Sequence, residues 1–365
     1  MRGLYIHIPF CSGKCHYCDF ISFPDKADCV EDYLDAVEKE MRFYTAIPCD
    51  TLYIGGGTPS ELSAQQLRRL FKSVDDHFGP VCDFSESTFE ANPESLTQDK
   101  IMLLRQYGMK RVSVGLQSFN ADVLRNLGRR HTVERFLDAY LDLRQVGFTN
   151  INVDLMCAVP GQTREVFAED LARLIKLGPE HVSVYGLQVE EGTRFAADGV
   201  AEDGDLTREY FDLARAELSS AGYAHYEISN FAKPGMESLH NLNYWENGEY
   251  IGIGCSATSY LSGVRKTNAP MLEHYCSSML TGEDMALASC EKLAGKEKTG
   301  ETMMLGLRKL GGMSLTPDMK ADFGRELASL SKRGLISLED DRARLTEEGV
   351  YISNEVFRCF VPPFD

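Results

Sequence analysis

Three cysteines lie within eight positions near the start of the chain, in the stretch YIHIPFCSGKCHYCDF. Cys11, Cys15 and Cys18 have the spacing C-x3-C-x2-C, which is typical of metal or cluster ligands. A tetrahedral structural zinc site needs four ligands, commonly supplied as two pairs. No second cysteine pair follows, and His7 or His16 could complete such a site only with awkward geometry. Three thiolates on one loop instead suit a 4Fe-4S cluster that keeps one iron open for a further ligand.

A glycine-rich turn, GGGTPS at 55–60, is the second stretch that could bind a ligand. Its glycines let the backbone approach a ligand closely and expose amide N–H groups. It is not a P-loop, because no Gly-Lys-Ser/Thr follows, and it is not a dinucleotide fingerprint. Alone it could be an ordinary tight turn. Its position relative to the cysteines decides whether we interpret it as part of a ligand-binding site.

The other eight of the eleven cysteines are scattered singly, mostly among apolar neighbours. Isolated cysteines of this kind are usually small buried hydrophobic residues. In a reducing compartment a tight cysteine cluster is more often a metal or redox site than a disulfide framework. A chain of 365 residues can also bury an ample core without disulfides. Both arguments favour ligand roles for the opening trio.

The charge balance narrows the classes of partner. The chain has 38 Lys+Arg against 55 Asp+Glu residues, a formal net charge of −17. Such a balance disfavours nucleic acid or an anionic membrane surface as a partner unless a local basic patch exists, and we find none. There is no run of about 18 apolar residues and no signal-peptide pattern. We therefore expect a soluble, cytoplasmic protein without an integral membrane segment.

Strand-like runs alternate with segments of helical period over the first ~190 residues. In residues 164–177, for example, Phe167, Leu171 and Leu174 recur at helical spacing. The alternation indicates parallel strands joined by crossover helices and predicts an α/β fold, a partial (β/α)6 barrel. The six strand-like runs are residues 4–8, 51–54, 87–92, 111–115, 150–156 and 181–187.

Ligand-binding residues of such a barrel lie at the C-terminal ends of the strands. Each predicted strand is followed by unusual polar or glycine-rich residues, so we expect six segments to meet at one mouth. They are the cysteine loop, GGGTPS, EANPES at 90–95, GLQSF at 115–119, DLMCAVPGQT at 154–163 and GLQVEEGT at 186–193.

The regular periods break up in the last third of the chain. After a barrel of residues 1–230, we interpret residues 231–295, rich in Asn, Gly and aromatic residues, as a substrate-covering segment and linker. Residues 296–365 predict a helix with Met303 and Leu307 on one face, then further helices and a hairpin around EDD, which together suggest a small winged-helix-like module. This module has 11 Lys+Arg and 12 Asp+Glu residues. It lacks the basic face of a DNA reader, so we expect a lid or partner surface instead.

Together these motifs resemble the radical S-adenosylmethionine (SAM) superfamily, and within it the anaerobic coproporphyrinogen-III-oxidase-like family. The resemblance implies that Cys11, Cys15 and Cys18 bind three irons of a 4Fe-4S cluster and that SAM chelates the fourth. If SAM is cleaved, an electron donor is also implied. The motifs cover nearly the whole chain in the family's order: YIHIPFCSGKCHYCDF, YIGGGTPS, FEANPES, VGLQSFN, LGRRH, NVDLMCAVPGQT and ISNFAKPGMESLHNLNYW.

The resemblance also implies a set of SAM contacts, for one or two SAM molecules. The aromatic residue before the last cysteine is expected beside the adenine of SAM, and the glycine-rich turn is expected at its methionine end. Three polar positions match those that bind a second SAM molecule in the oxidase. Singly, Glu90 or Asp154 could instead cap a helix, and Arg129 could be a surface arginine. The expected SAM-binding residues are Tyr5, Tyr17, Gly56, Gly57, Thr58, Glu90, Gln117, Arg129, Asp154, Gln188 and Thr258.

One departure from the family pattern separates its subgroups. Oxidases of this kind carry a further cysteine two residues after the last cluster cysteine, where this chain has Phe20. The difference puts the oxidative decarboxylation in doubt, and it leaves cluster and SAM binding untouched.

The stretch HNLNYW at 240–245 is the second feature that separates the subgroups. It contains His240, Tyr244 and the chain's single tryptophan, Trp245. A lone histidine is more often a hydrogen-bonded structural residue than a ligand. Here the imidazole could be an axial ligand of heme iron, with the aromatic residues against the macrocycle. With Phe20, the pattern resembles the heme-chaperone subgroup, which implies heme or a porphyrin as bound cargo and hemoproteins as acceptors.

Three hypotheses of function follow. The first is a radical SAM heme chaperone that binds heme and transfers it to hemoproteins. The second is an oxygen-independent coproporphyrinogen III dehydrogenase that converts two propionates to vinyls, which Phe20 disfavours. The third is a zinc-stabilised winged-helix protein that binds nucleic acid, which the acidic composition and the three-cysteine count oppose. The sequence leaves open whether SAM is cleaved, and so whether the protein is an enzyme.

Overall fold

Six parallel strands with crossover helices form the first part of the fold. The computed structural model describes residues 1–282 and 285–364. Its elements up to residue 186 are β1 (Arg2–Ile8), β2 (Phe10–Cys11), β3 (Phe23–Pro24), α1 (Val30–Met41), β4 (Thr51–Gly56), α2 (Ala64–Phe78), β5 (Glu86–Ala91), α3 (Gln98–Gln106), β6 (Arg111–Gln117), α4 (Ala121–Asn126), α5 (Val133–Gln145), β7 (Ile151–Cys157), α6 (Arg164–Leu177) and β8 (His181–Gly186).

The six predicted strands are consecutive neighbours in one sheet. β1 pairs in parallel with β4, and parallel pairing continues through β5, β6 and β7 to β8. Side chains alternate along each strand: Leu4, Ile6 and Ile8 of β1 are buried in the main hydrophobic core, whereas Tyr5 and His7 occupy the other face. The sheet does not close on itself in the described chain. The α/β, partial-barrel prediction is confirmed.

One crossover helix has the bounds that the sequence predicts. α6 coincides with the predicted helix at 164–177, and the Thr163 side chain accepts from the Val166 backbone N–H at its start. Gly178 ends the helix with φ +67°, a left-handed conformation that glycine adopts without strain. Phe167 and Leu171 are fully buried, so the apolar stripe packs against the sheet as expected.

Short strands extend the sheet at both edges. β8 continues through antiparallel β10 and β9, while β11 lies parallel to β1 and leads into antiparallel β12, β13 and β14. The sequence did not predict these strands. The elements are α7 (Arg194–Ala197), α8 (Gly204–Ser220), β9 (Ala224–Glu227), β10 (Asn230–Ala232), α9 (Leu239–Trp245), β11 (Glu249–Ile253), β12 (Thr258–Leu261), β13 (Val264–Asn268), α10 (Leu272–Thr281) and β14 (Leu287–Lys292).

The helix α9 lies at the N-terminal ends of the barrel strands. The carboxylate of Glu86, the first residue of β5, accepts from the Ser238 hydroxyl at 3.2 Å and from the backbone N–H groups of Leu239 and His240 at 3.0 Å each. Residues 231–295 thus belong partly to the sheet. Their covering role, and the division of the chain at residues 230 and 295, stay predictions.

The C-terminal residues form a small module with its own hydrophobic core. Three strands pair in the order β15-β17-β16, and β16 and β17 form the predicted hairpin. No helix in the described part of the chain is both long and apolar enough to cross a membrane. The elements are α11 (Gly295–Gly306), β15 (Met313–Ser314), α12 (Pro317–Lys332), β16 (Ile336–Glu339), β17 (Arg342–Leu345), α13 (Glu347–Tyr351) and α14 (Ser353–Arg358).

Two patches join the module to the barrel. On one side, Arg265 of β13 pairs with Glu301 of α11 at 2.5 Å, and the Leu310 N–H donates to the Tyr226 carbonyl at 3.0 Å. On the other side, charged residues of α8 meet α13, as in the pair of Arg208 with Glu348 at 2.8 Å.

Candidate functional site

The six predicted segments meet at the C-terminal ends of the strands around a cavity of about 450 Å³. This confirms the expectation of a common mouth. Twelve of the predicted ligand residues line the cavity: Cys11, Cys15, Tyr17, Cys18, Gly56, Gly57, Thr58, Glu90, Gln117, Arg129, Asp154 and Gln188. Phe20 lines it too, and its side chain is 65% exposed.

Two histidines position the cysteine loop. The His16 ring Nδ1 lies 2.8 Å from the Asn126 carbonyl oxygen. In β1, the His7 ring lies 2.9 Å from the Tyr5 hydroxyl and 3.0 Å from the Ile21 carbonyl oxygen. These are the histidines that a zinc site would need, and the structure gives both of them hydrogen bonds that fix the loop.

The cysteine loop and the glycine-rich turn fit closely together. A Cβ at Gly57 would lie 3.1 Å from Cys11 Sγ and 2.9 Å from the Phe10 carbonyl oxygen, so a side chain here would push the loop away. Thr58 Oγ1 lies 3.3 Å from the same sulfur. Burial raises the pKa of Cys11 and that of Cys18, the latter to about 11. These thiols are therefore poor nucleophiles, and binding an iron would deprotonate them.

Glu90 places a carboxylate against the glycine-rich turn. The Tyr53 hydroxyl donates to one oxygen at 2.5 Å and the Gly56 N–H to the other at 3.1 Å. Burial raises the pKa of Glu90 to about 7, with the charge of Asp154 acting in the same direction and the two hydrogen bonds opposing them. A cation beside Glu90 would favour its ionised form.

Arg129 places a half-buried guanidinium beside the cysteines. Its Nη2 donates to Asn92 Oδ1 at 2.7 Å and to the Gly115 carbonyl at 2.8 Å, and its Nη1 lies 3.7 Å from Cys15 Sγ. Its Nε is buried without a hydrogen-bond partner. An unsatisfied buried donor is costly, so Arg129 is suited to an anionic ligand group.

A hydrogen-bonded chain fixes the orientation of Asp154. Asn152 Nδ2 donates to its carboxylate at 2.7 Å, and Asn152 Oδ1 accepts from His181 Nδ1 at 2.6 Å. The Tyr226 hydroxyl lies 2.9 Å from His181 Nε2. Burial lowers the pKa of His181, so the ring is neutral; with its proton on Nδ1, it accepts from Tyr226.

Gln117 occupies a left-handed backbone conformation, with φ +72°, that is uncommon for a residue other than glycine. Buried Asp170 of α6 holds the following residues: its carboxylate accepts from the Ser118 hydroxyl at 2.6 Å and from the Phe119 N–H at 2.7 Å. This contact fixes the turn that directs Gln117.

A second cavity of about 320 Å³ contains the other two expected SAM residues, Tyr5 and Thr258, which do not line the cysteine cavity. Tyr53 lines this second cavity, and its hydroxyl donates a hydrogen bond to Glu90, which lines the cysteine cavity. The Tyr53–Glu90 contact therefore lies between the two cavities. The lining residues are Tyr5, Tyr53, His240, Asn241, Tyr244, Tyr250 and Thr258.

His240 has a structural environment in this second cavity. Its Nδ1 lies 2.8 Å from Thr51 Oγ1 and its Nε2 lies 3.0 Å from the Tyr244 hydroxyl. The residue is 1% exposed, and burial, with the charge of Arg111, lowers its pKa to about 3. A heme iron would have to displace one of the two hydroxyl groups, so heme ligation by His240 stays a prediction.

Trp245 lines neither cavity. The guanidinium carbon of Arg308 lies 4.3 Å from the centroid of its ring, and the indole Nε1 is buried without a partner. The three residues predicted for heme are therefore divided between the second cavity and the contact with the C-terminal module.

Sequence reasoning missed several residues of the site. Tyr53 orients Glu90, Asn92 bonds Arg129, Asp170 fixes the Gln117 turn, and Tyr185 lines the cysteine cavity. Strand alternation could have found both tyrosines, because Tyr53 lies three residues before the end of β4 and Tyr185 one residue before the end of β8. No local signal marks Asp170, since it acts across 51 positions.

The cysteine cavity combines three thiols, a backbone cradle, carboxylates and a half-buried cation. Such a set of groups can hold an iron–sulfur cluster beside a ligand that carries a positive and a negative charge. Among the described residues, no three His, Cys, Asp or Glu side chains are grouped to hold one metal ion. The three thiols thus lie around the cavity and do not converge on a single point.

Two family models match the chain. The radical SAM superfamily matches residues 5–174, which include strands β4 to β7 of the parallel barrel and the second half of β1. The HemN C-terminal domain matches residues 293–352, which contain most of the C-terminal module.

Full-length relatives match as well. The chain is 36% identical to the heme chaperone HemW of Bacillus subtilis, over 99% of both chains, and 36% identical to that of Lactococcus lactis, over 99% of this chain and 97% of the relative. Among solved structures, coproporphyrinogen III oxidase (HemN) from Escherichia coli, a radical SAM enzyme, superposes with a TM-score of 0.86 at 26% identity, covering 99% of this chain and 90% of the oxidase.

Proposed function

Because the chain belongs to the heme chaperone HemW family of radical SAM proteins, we propose that it binds heme and transfers it to hemoproteins. The proposal rests on one observation above the others, the match to HemW chaperones along 99% of the chain. Phe20 supports it, since the oxidase pattern would have a cysteine in that position.

The radical SAM superfamily carries a 4Fe-4S cluster and SAM. In this chain we infer that Cys11, Cys15 and Cys18 hold three irons and that SAM completes the site. The absence of a side chain at Gly57 supports this. A Cβ there would lie 3.1 Å from Cys11 Sγ, whereas glycine leaves the space beside the thiol open to the cavity. The cluster would supply one electron to SAM if SAM is cleaved.

The chain's own residues would orient SAM by charge. Glu90, held by Tyr53 and the Gly56 N–H, would face the ammonium group or accept from the ribose hydroxyls. Arg129, with its unsatisfied Nε, would bind a carboxylate. Whether one or two SAM molecules bind depends on whether Gln117, Arg129 and Asp154 serve the first molecule or a second.

The deciding experiment pairs a hemin titration with an anaerobic decarboxylation assay. The reconstituted protein is titrated with hemin, and separately incubated with coproporphyrinogen III, SAM and a reductant. We expect saturable hemin binding and no vinyl product. Product formation would overturn the chaperone assignment, and so would the absence of hemin binding.

A coproporphyrinogen III dehydrogenase is the second candidate. The structural similarity to the oxidase from Escherichia coli over nearly the whole chain favours it, and Phe20 disfavours it. The same assay separates the two candidates, because only the dehydrogenase would release carbon dioxide from the propionates.

A further inference from the structure

A tyrosine of β4 holds the carboxylate that lies against the glycine-rich turn. The Tyr53 hydroxyl donates to Glu90 Oε1 at 2.5 Å, and the Gly56 N–H donates to Glu90 Oε2 at 3.1 Å. Each carboxylate oxygen can accept two hydrogen bonds, so one acceptor position on each oxygen stays available. Glu90 lines the cysteine cavity, whereas Tyr53 lines only the second cavity. The tyrosine therefore acts on the carboxylate from outside the cysteine cavity.

Glycine at position 55 lets the tyrosine and the carboxylate meet. A Cβ at Gly55 would lie 2.7 Å from Glu90 Oε2 and 2.8 Å from Tyr53 Cε1. Both distances are shorter than a van der Waals contact, so any other residue would push the carboxylate or the ring aside. The first glycine of the turn thus makes room for the Tyr53–Glu90 pair.

The ring of Tyr53 is held on its other side by two aromatic rings. Its centroid lies 5.2 Å from that of the His240 ring and 6.1 Å from that of the Tyr5 ring. Tyr5 is also the register partner of Tyr53 in the pairing of β1 with β4. Packed rings leave little freedom to the phenol, so the hydroxyl is already ordered before a ligand binds and its ordering does not reduce the affinity.

The same hydroxyl favours the ionised form of Glu90. Burial raises the pKa of Glu90 to about 7, and the hydrogen bond from Tyr53 opposes this rise, because it stabilises the charged carboxylate. Burial also raises the pKa of the neighbouring tyrosines above its usual range, so they are neutral. The titratable and charged groups that act on Glu90 are Tyr5 of β1, Tyr53 of β4, Arg111 of β6, Asp154 of β7 and Tyr185 of β8.

We propose that Tyr53 is a positioning residue for SAM: through Glu90, its hydroxyl sets the direction and the charge of the carboxylate that bound SAM meets. This inference rests on the SAM site of the proposed function. It holds whether the carboxylate faces the ammonium group or accepts from the ribose hydroxyls, since both contacts need an ionised acceptor.

The test measures the affinity for SAM from about pH 6 to about pH 9, on both sides of the pKa of Glu90. Equilibrium binding of labelled SAM is followed on the cluster-loaded protein without a reductant. The proteins compared are the wild type, Tyr53→Phe, Glu90→Gln, the double variant and the control Tyr223→Phe. The Tyr223 hydroxyl donates to the Pro179 carbonyl at 2.6 Å, and Tyr223 lines neither cavity. The control therefore removes a similar hydrogen bond away from Glu90.

We expect Tyr53→Phe to bind SAM about 10-fold more weakly than the wild type near pH 7. The affinity of the wild type should fall as pH drops through the pKa of Glu90, and in Tyr53→Phe this fall should begin at a higher pH. The difference should narrow at high pH, where Glu90 is ionised in both proteins. In Glu90→Gln, the added Tyr53→Phe should change the affinity no further, because the two side chains act as one unit.

A wild-type pH profile in Tyr53→Phe would overturn the inference, and so would additive effects of the two substitutions in the double variant. A wild-type protein that holds its cluster and binds no SAM would instead reject the SAM site itself. Should Tyr53→Phe not fold, Gly55→Ala decides, because its Cβ would separate the carboxylate from the phenol with both side chains in place. A wild-type profile in that variant would again reject the inference.

Discussion

At the scale of single residues, the environment of each ligand decides its chemistry. Glu90 and Asp154 are both carboxylates of the cysteine cavity, but Glu90 accepts from a tyrosine hydroxyl and a backbone N–H, whereas Asp154 is held by an asparagine amide. Burial raises the pKa of both. The two groups therefore gain from a cationic ligand, since it favours their ionised forms.

Replacing a cluster cysteine tests the metal assignment. Each of Cys11→Ala, Cys15→Ala and Cys18→Ala removes one of three thiolates, so anaerobic reconstitution should fall well below the about four irons per chain expected for a 4Fe-4S cluster. Iron and acid-labile sulfide are measured together. Cys82→Ala is the matched control, because that cysteine is exposed and outside the cavity; a full cluster in any of the three variants would reject the assignment.

Much of the site could be predicted from residue types and their spacing. The cysteines, the glycine-rich turn and Glu90 could be assigned because the C-terminal end of each strand faces one mouth. Tyr5 shows the limit of this reasoning. It lies in β1, the strand that precedes the cysteine loop, but three residues before that strand ends, and it lines the second cavity. Which cavity a residue lines therefore depends on its distance from the C-terminal end of its strand as much as on the strand to which it belongs.

At the scale of elements, a buried carboxylate joins α1 to the sheet extension. Glu40 of α1 is fully buried and accepts from the Gly254 N–H at 2.8 Å, the Asn268 amide at 2.6 Å and the Tyr275 hydroxyl at 2.6 Å. These partners lie after β11, at the end of β13 and in α10. One side chain therefore holds three elements that are more than 200 positions away in sequence.

The pKa of Glu40 predicts how stability depends on pH. Burial raises its pKa from 4.5 to about 7, against the opposing effect of its three hydrogen bonds. Between these values the native state binds more protons than the unfolded state, so the free energy of unfolding should fall as pH rises, by up to ~3 kcal/mol from this group.

Glu40→Gln removes this titration and isolates its contribution. Denaturant unfolding of both proteins is measured from about pH 4.5 to 7, where we expect the wild-type stability to decline relative to the variant. A difference between the two proteins that stays constant over this range would contradict the prediction. Asp76→Asn, which changes an exposed carboxylate of α2, serves as the control variant.

The elements that were predicted and those that were missed differ in their physical basis. The parallel strands are nearly continuous apolar runs, because both faces are covered, and the helices between them have clear caps and apolar stripes. β11 to β14 are short and partly exposed, as in the pattern of exposed residues in β14. Their pairing depends on contacts far along the chain, such as β11 with β1, which no local pattern specifies.

At the scale of the whole molecule, the two contacts between module and barrel differ in character. Around α11 the contact includes the half-buried pair of Arg308 and Trp245 and a backbone hydrogen bond from Leu310 to Tyr226. Around α13 it includes two largely exposed ion pairs, Arg208 with Glu348 and Arg215 with Glu347, and Tyr351, whose hydroxyl donates to Asp212 and whose ring centroid lies 4.4 Å from the Arg208 guanidinium carbon. Exposed ion pairs contribute little to stability because water and salt screen them.

Removal of the exposed pairs should therefore leave the module docked. We expect the double variant Arg208→Gln, Arg215→Gln to unfold at nearly the wild-type denaturant concentration, at both low and high salt, with unchanged hemin affinity. A separate early unfolding transition in the variant would show instead that these charges hold the module in place.

The single tryptophan gives this architecture an optical consequence. Trp245 lies where the module meets the barrel, under a guanidinium and with its N–H enclosed, and no second indole contributes to the emission of the chain. Its intrinsic fluorescence therefore reports one location: a red shift marks separation of the module, and quenching by energy transfer marks a porphyrin nearby. The unlabelled protein can thus be watched as it takes up and releases its cargo.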